Sequence, residues 1–191
     1  MLKTEYLHSQ NKYKQEIRKF QKELNEEYAD SATSPLTKKD LANFKSLDFY
    51  PIKKKHCITA KYKRTPDAEP FKMKTTTDRA PEYVKYGEIE FTLNGKPIKV
   101  NIYQSLRLKK IEKYKDYLFL PFRDLTSGKT SYGGGRYVDL KIPESNTVII
   151  DFNKAYNPYC AYNHKYSCVV PPAENFIDIK IKAGVKKFKE H

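Results

Sequence analysis

The stretch GEIEFTLNGKPIKVNIY, residues 87–103, contains the clearest structural unit in the sequence. Asn94–Gly95 is favoured in a two-residue type I′ turn, because both turn positions require a positive φ that Asn and Gly tolerate. Closing the turn places apolar pairs on one face and an opposite-charge pair on the other. The expected partners are Phe91 with Ile98, Ile89 with Val100, and Glu90 with Lys99. Turn chemistry and cross-strand pairing therefore predict the same β-hairpin in the same register.

Short segments on both sides of this hairpin also alternate between apolar and polar residues, which predicts further strands. Alternation is visible over residues 58–63 and 71–75. Later strands are expected at Tyr117–Phe122, Tyr137–Ile142, Thr147–Phe152 and Phe176–Ala183. About eight short strands predict a mainly β, α+β fold, an antiparallel small barrel or sandwich.

The N-terminal segment has a helical pattern instead. Residues 3 to about 29 carry one apolar stripe at helical spacing, formed by Tyr6, Tyr13, Ile17, Phe20, Leu24 and Tyr28. A short second helix is expected to begin after Thr37, whose hydroxyl can cap it. We therefore predict that residues 1–35 dock on a β-rich domain of residues 36–191, with a single domain overall.

The chain has 191 residues and a formal net charge of +14. An aromatic content of 14% supplies much area to bury, which favours a globular protein over disorder. The lysines are scattered, and neither an RNA-binding aromatic signature nor a cysteine–histidine finger accompanies them. A solvated basic surface is the main interpretation, and nucleic-acid or anionic-surface binding is an alternative.

No apolar run is long enough to cross a membrane, which requires about eighteen or more residues. The N-terminal residues MLKTEYLHSQ lack the apolar core of a signal peptide. We therefore expect a cytoplasmic protein, or a periplasmic or exported one if a leader has been removed.

The first candidate for chemistry is TSGKTSYGGGRYVDL, residues 126–140. Three glycines allow close approach of a ligand, and their N–H groups can surround an anion beside the Arg136 guanidinium. The segment lacks the ending of a P-loop, and a strand rather than a helix is expected to follow it. The alternative is structural, a glycine bulge that lets a tight loop cross a barrel.

The second candidate is DFNKAYNPYCAYNHKYSC, residues 151–168, in which Cys160, His164 and Cys168 have the spacing C-x3-H-x3-C. Zinc would require a fourth ligand, such as His56 or Cys57. A cysteine nucleophile would require His164 within hydrogen-bond reach. A disulfide between the two cysteines, or two buried thiols under a loop, are the other interpretations.

Asparagines and tyrosines are dense in the same segment. Asn153 and Asn157 can satisfy irregular backbone through side-chain turns. Amides and phenols also line pockets that recognise polar ligands. The composition is compatible with both roles.

Several ordered motifs resemble the family of the domain of unknown function 1684, over about residues 9–188. The motifs are LDFYPI, TTTDRAPEYVKYG, FLPFRDLT, SGKTSYGGGRYVDL, DFNKAYNPYCAYN, YSC, PP, EN and IKAG. This resemblance implies bacterial or archaeal relatives, often exported or lipid-anchored, without an established reaction. The motif positions are Tyr132, Gly133, Gly134, Gly135, Arg136, Asp139, Asp151, Asn153, Asn157, Cys160 and Cys168. His164 matches no motif position.

Taken together, the two candidate segments predict one cleft that binds a small polar or anionic ligand. The expected ligand-binding residues are Tyr132, Gly133, Gly134, Gly135, Arg136, Asn153, Asn157, Cys160 and Cys168. Arg136 would hold the anion, and no metal or cofactor is assigned. A hydrolase or transferase using Cys160 or Cys168 is an alternative, as is a structural role in which the two segments hold each other across the barrel end.

Overall fold

The computed structural model describes residues 2–189, with side chains described from residue 8. Helix α1 spans Leu2–Ala29 and helix α2 spans Lys38–Ala42. Thr37 caps α2, because its hydroxyl accepts a hydrogen bond from the backbone N–H of Asp40 at 3.1 Å. Tyr6, the first residue of the predicted helical stripe, lies outside the described side chains.

Eight strands follow the helices, and most of them form one sheet in the order β6-β5-β4-β3-β1-β7, with β2 beside β3 and β8 beside β5. Their bounds are β1 Cys57–Arg64, β2 Phe71–Lys72, β3 Glu82–Leu93, β4 Lys96–Ser105, β5 Tyr117–Asp124, β6 Arg136–Lys141, β7 Thr147–Asp151 and β8 Phe176–Ile177. Single 3-10 turns occupy Lys54–His56, Leu108–Lys110, Glu112–Tyr114, Phe152–Lys154, Tyr159–Ala161 and Ala173–Asn175. The sheet curls into a half-barrel, and the predicted fold class is confirmed.

The central hairpin has the predicted turn and register. Asn94 and Gly95 have φ values of 50° and 79°, as a type I′ turn requires. Strands β3 and β4 pair Phe91 with Ile98, Ile89 with Val100, and Glu90 with Lys99. The local sequence was therefore sufficient to predict this hairpin and its register.

The apolar core fills the inside of the curl. Its fully buried members include Ile89 and Ile102 of the hairpin, Leu118 and Leu120 of β5, and Phe152 after β7. Helix α1 docks outside this core, where Ile17 is completely buried and the Tyr13 hydroxyl donates to the Asp151 carboxylate at 2.9 Å. The end of β7 thus connects the helix to the sheet.

The predicted C-terminal strand Phe176–Ala183 is wrong beyond Ile177, although its burial pattern is right. Ile179, Ile181 and Ala183 still face the core. The backbone of this segment bonds side chains, however, since the N–H of Ile181 donates to Asp124 Oδ2 at 2.7 Å and the Ile181 carbonyl accepts from Arg136 at 2.9 Å. A buried ion pair therefore takes the place of a neighbouring strand.

The predicted alternation over residues 71–75 is likewise only partly a strand. Strand β2 ends at Lys72, and Thr75 forms an isolated bridge with Val169. Met73, between them, is buried under the outer face of the sheet. This short crossing covers an aromatic layer on that face. Among the described residues, no helix has the length and apolar content needed to cross a membrane.

Candidate ligand-binding site

Arg136, predicted to hold an anion, points into the protein and has no exposed surface. Its guanidinium lies 3.2 Å from Asp124 Oδ1 and donates to the carbonyl oxygens of Ile181, Ala183 and Val185. Desolvation lowers the pKa of this arginine, while the Asp124 carboxylate opposes the decrease. The predicted role of Arg136 is wrong, because the side chain is fully buried and internal acceptors occupy both terminal nitrogens of its guanidinium.

The three glycines before Arg136 close a loop. Gly135 has a φ of 93°, and a Cβ there would lie 2.6 Å from the Phe122 carbonyl oxygen and 2.7 Å from Pro171. Its N–H donates to the Tyr132 carbonyl. Gly133 and Gly134 are exposed, but the guanidinium beside them faces the other way. The predicted anion cradle of glycine amides and Arg136 is therefore wrong, whereas the structural alternative fits the contacts of Gly135.

The two predicted asparagines also make internal contacts. Asn153 Nδ2 donates to the Tyr13 hydroxyl at 2.9 Å and to the Lys53 carbonyl at 3.0 Å, which links α1 to the segment before β1. Asn157 Nδ2 donates to the Lys186 carbonyl at 2.9 Å. Both side chains are essentially fully buried. They satisfy irregular backbone in this structure, and neither lines the cavity described below.

The two candidate segments do meet, as predicted, at Tyr132 and the cysteines. The Tyr132 hydroxyl lies 3.7 Å from Cys160 Sγ, and the backbone N–H of Cys160 donates to Cys168 Sγ at 3.1 Å. All three cysteines are free thiols. A hydrogen bond with Cys168 lowers the pKa of Cys160 to about 7, whereas the same interaction raises the pKa of Cys168. Of the two thiols, Cys160 therefore loses its proton first.

The zinc interpretation of the C-x3-H-x3-C spacing has no support in the part of the chain that the structure describes. Within that part, no three His, Cys, Asp or Glu residues are grouped so as to hold one metal ion. The buried His56, named as a possible fourth ligand, instead has its pKa lowered to about 4 by desolvation and by neighbouring lysines. Sequence spacing therefore did not translate into ligand geometry.

A cavity of about 440 Å³ lies beside the cysteines, between helix α1 and the outer face of the sheet. Half of its described lining residues are aromatic, including Tyr83 of β3, Phe119 of β5 and Tyr137 of β6. The segment after β7 forms the opposite wall, contributing Tyr156, Pro158, Tyr159, Tyr166, Ser167, Cys168 and Val169. We call this space the aromatic cavity. Cys168 is the one predicted ligand-binding residue among its described lining.

Asp139 of β6 is the carboxylate of the aromatic cavity's sheet wall. Its Oδ1 accepts hydrogen bonds from two phenols, Tyr117 at 2.8 Å and Tyr156 at 2.6 Å. Desolvation raises the pKa of Asp139, although both phenols oppose the increase. Solvent still reaches the residue. Within the described chain, no hydrogen-bond donor contacts Oδ2, so one oxygen can accept a bond from a ligand.

A second depression of about 540 Å³ lies on the other side of Asp139, between β6 and β7. Lys113 and Lys141 line it, and the exposed Ile149 forms its rim. Both of these side chains are cationic, and the walls offer few rings to pack against. The aromatic cavity is therefore the better candidate site.

Sequence reasoning missed most of this site. Asp139 was recognised as a motif position but was not assigned to ligand binding. Arg79, which lines the aromatic cavity and donates to the Ser167 hydroxyl at 3.0 Å and carbonyl at 2.8 Å, belongs to another motif. Tyr83 and Phe119 follow strand alternation, which places them on a face without saying what covers that face. The local sequence carried no signal for their convergence.

The fold and the cavity define a class of protein, a curled half-barrel with a helix-covered aromatic cavity. This chain is similar in fold to the uncharacterized protein from gene locus rrnAC0354 of Haloarcula marismortui, solved by solution NMR. It superimposes with a TM-score of 0.73 at 25% sequence identity, over 96% of this chain and 99% of the other. A comparison with curated proteins gave no match.

The family follows from a match to the whole β-rich part of the chain. Residues 42–186 match the family model described as "Protein of unknown function (DUF1684)". The chain belongs to this family, and the predicted family membership is confirmed.

Proposed function

We propose that this protein binds a small molecule with an apolar, ring-containing body and a hydrogen-bond donor, and that the aromatic cavity is the binding site. The observation that carries the proposal is the carboxylate of Asp139, held by two phenols in an aromatic wall with Oδ2 open. Cavities with apolar walls and few polar groups are the usual form of small-molecule sites.

The phenols position the acceptor before any ligand arrives. Tyr117 and Tyr156 both donate to the same oxygen of Asp139, which fixes the carboxylate and turns its other oxygen away from them. Tyr117 stacks on Phe119, and Tyr156 packs edge-on against Tyr137. The acceptor is therefore held by packed rings rather than by a mobile loop, and a preorganised polar group costs less to use in binding.

The charge of the cavity favours a cationic donor. Two carboxylates line it, Asp139 and Glu27, against one guanidinium, Arg79, which already donates to Ser167. The chain as a whole has a formal charge of +14, so a cavity with more carboxylates than cations stands out from its surface. Aromatic faces also attract cations through the ring quadrupole. An ammonium group on an apolar frame combines these preferences.

The test is a binding comparison among three ligands with one arylalkyl frame, an amine, an alcohol and a carboxylic acid, followed by NMR titration. We expect the amine to bind most tightly and to shift backbone amides of Tyr166, Ser167 and Val169 more than those of Val148 and Ile149, which report on the other depression. Asp139→Asn keeps the side-chain shape and should weaken amine binding about tenfold or more, since a hydrogen bond to a charged group contributes roughly 1.5–3 kcal/mol.

Asp67→Asn is the matched control, because Asp67 is exposed in the turn after β1. It should bind the amine as the wild type does. Equal affinity of the wild type for amine and acid, or equal amine binding by the wild type and Asp139→Asn, would refute the proposed recognition. Shifts confined to Val148 and Ile149 would move the site to the lysine-lined depression.

A further inference from the structure

Two of the three cysteines lie together in the fold. Cys160 belongs to the 3-10 turn Tyr159–Ala161, and the chain returns to it eight residues later at Cys168. The backbone N–H of Cys160 donates to Cys168 Sγ at 3.1 Å, and the interaction with Cys168 lowers the pKa of the Cys160 thiol. A disulfide requires Cα atoms about 4.4–6.8 Å apart. The contact between Cys168 Sγ and the Cys160 backbone nitrogen places the two residues next to each other, as that bond requires.

The pair is reached from one side. Cys168 lines the aromatic cavity, whereas Cys160 lies behind it, where the Tyr132 hydroxyl is 3.7 Å from its sulfur. The backbone at Cys168 is held by Thr76, whose hydroxyl accepts a hydrogen bond from the Cys168 N–H at 3.1 Å. Hydrogen bonds from a hydroxyl and from a second thiol stabilise a thiolate. The arrangement thus places one sulfur at the cavity wall, with a thiolate-stabilised partner directly behind it.

We propose that Cys160 and Cys168 are a redox-active pair that forms a reversible disulfide at the wall of the aromatic cavity. The oxidant is a low-molecular-weight disulfide such as oxidised glutathione. Cys168 Sγ loses its proton through the adjacent Cys160 sulfur and attacks one sulfur of this molecule, forming a mixed disulfide and releasing one thiol. The Cys160 thiolate then attacks Cys168 Sγ and releases the second thiol. Two electrons pass to the oxidant, and the two protons leave with the released thiols.

Oxidation would close the loop between the two cysteines covalently. That loop contains Tyr166 and Ser167, which line the aromatic cavity, and Ser167 accepts hydrogen bonds from Arg79. The redox state of the pair would therefore act on one wall of the cavity. Formation of the disulfide can be measured by thiol chemistry alone, independently of whether the cavity binds a ligand.

The experiment equilibrates the full chain in glutathione buffers of increasing oxidised fraction, alkylates the remaining thiols and measures intact and peptide masses. Reduced protein should carry three alkylated cysteines and oxidised protein only one, at Cys57. The oxidised chain should be lighter than the reduced chain by two hydrogen atoms before alkylation, with the peptides of Cys160 and Cys168 linked. Returning the sample to reduced glutathione should restore both thiols.

Three variants serve as controls. Cys57→Ser should show the same transition, because Cys57 lies elsewhere, beside Asp151. Cys160→Ser and Cys168→Ser should each lose the internal disulfide and retain bound glutathione on the remaining thiol. Wild-type protein that keeps three alkylatable cysteines at every glutathione ratio would overturn the proposal, as would thiol loss through mixed disulfides or dimers alone. The wild-type result decides the question even if a variant does not fold.

Discussion

Arg136 and Asp139 lie three residues apart on β6 and end in opposite environments. Arg136 faces the inside of the half-barrel, fully buried, with Asp124 and three carbonyl oxygens around its guanidinium. Asp139 faces outward into a cavity, where two phenols hold one oxygen and leave the other open. The odd spacing along a strand puts the two side chains on opposite faces of the sheet.

The difference shows that a polar residue in a recognisable motif is a candidate for binding only when part of its hydrogen-bonding capacity remains open. Arg136 has the stronger sequence signal, a cation after a glycine run, but internal groups use it. The guanidinium N–H groups of Arg136 donate to the carbonyl oxygens of Ile181 and Val185, where a neighbouring strand would otherwise supply the donors. Asp139 has the weaker signal and the open acceptor.

The largest loss of stability is expected when the buried residue of this pair, Arg136, is replaced. Arg136→Ala leaves the Asp124 carboxylate buried without its cation and leaves the carbonyls of Ile181 and Ala183 without donors. Removing one partner of a buried ion pair costs about 3–5 kcal/mol of unfolding free energy. Urea unfolding monitored by circular dichroism measures the loss.

Lys96→Ala is the surface control for that experiment. Lys96 pairs with Asp178 at 3.1 Å, and both side chains are more than half exposed. The expected change is within about 1 kcal/mol, because solvent screens such pairs. Comparable losses in the two variants would mean that the Arg136 pair does not hold the C-terminal segment in place.

A smaller loss is expected at the loop that delivers Arg136. Gly135→Ala combines a strained positive φ with contacts to the Phe122 carbonyl and Pro171, and we expect about 2–4 kcal/mol of destabilisation. Gly95→Ala has the positive φ without any neighbour within 4 Å, so about 1–2 kcal/mol is expected. Thermal and urea unfolding of both variants separates crowding from backbone strain, and equal losses would remove the packing role of Gly135.

The smallest effect on stability is expected when Asp139, which faces the aromatic cavity, is replaced. The folded-state pKa of Asp139 is raised above its ordinary value, so the folded state binds its proton more readily than the unfolded state does. The contribution of Asp139 to the free energy of unfolding is therefore fully present below its pKa in the unfolded state. This contribution is lost as pH rises through its pKa in the folded state. Asp139→Asn should match or exceed the wild type at neutral pH, by less than about 1 kcal/mol because solvent screens the carboxylate.

Unfolding at a series of pH values checks this sign. The advantage of Asp139→Asn over the wild type should grow as pH rises from about 4 towards neutrality, where the wild-type carboxylate becomes charged. Asp67→Asn should show no such trend. A wild type that gains stability over Asp139→Asn as pH rises would indicate that Asp139 is a structural anion rather than an open acceptor.

Much of the fold could be predicted because its signals are local. The Asn94–Gly95 turn, the alternation in β5, β6 and β7, and the α1 stripe of Tyr13 and Ile17 each depend on a few adjacent residues. The C-terminal segment shows the limit of such signals, since the burial of Ile179, Ile181 and Ala183 was right and their strand was not. Alternation reports which side chains face the core, but not which groups bond the backbone.

The site was harder to predict because its residues are distant along the chain. Of the predicted residues, Tyr132, Cys160 and Cys168 do lie together. The aromatic cavity also requires Leu24 of α1, Arg79 before β3 and Asp139 of β6, which only the folded chain brings together.

The sequence by itself determined the hairpin, the long helix, the β-rich class and the family, because each depends on local chemistry or an ordered run of motifs. Only the tertiary structure decided which polar groups bond to other parts of the chain and which keep a free hydrogen-bonding site. A guanidinium or carboxylate has the same chemistry in either place. Long-range packing decides whether another part of the chain occupies its hydrogen-bonding sites, and that packing depends on the whole sequence at once.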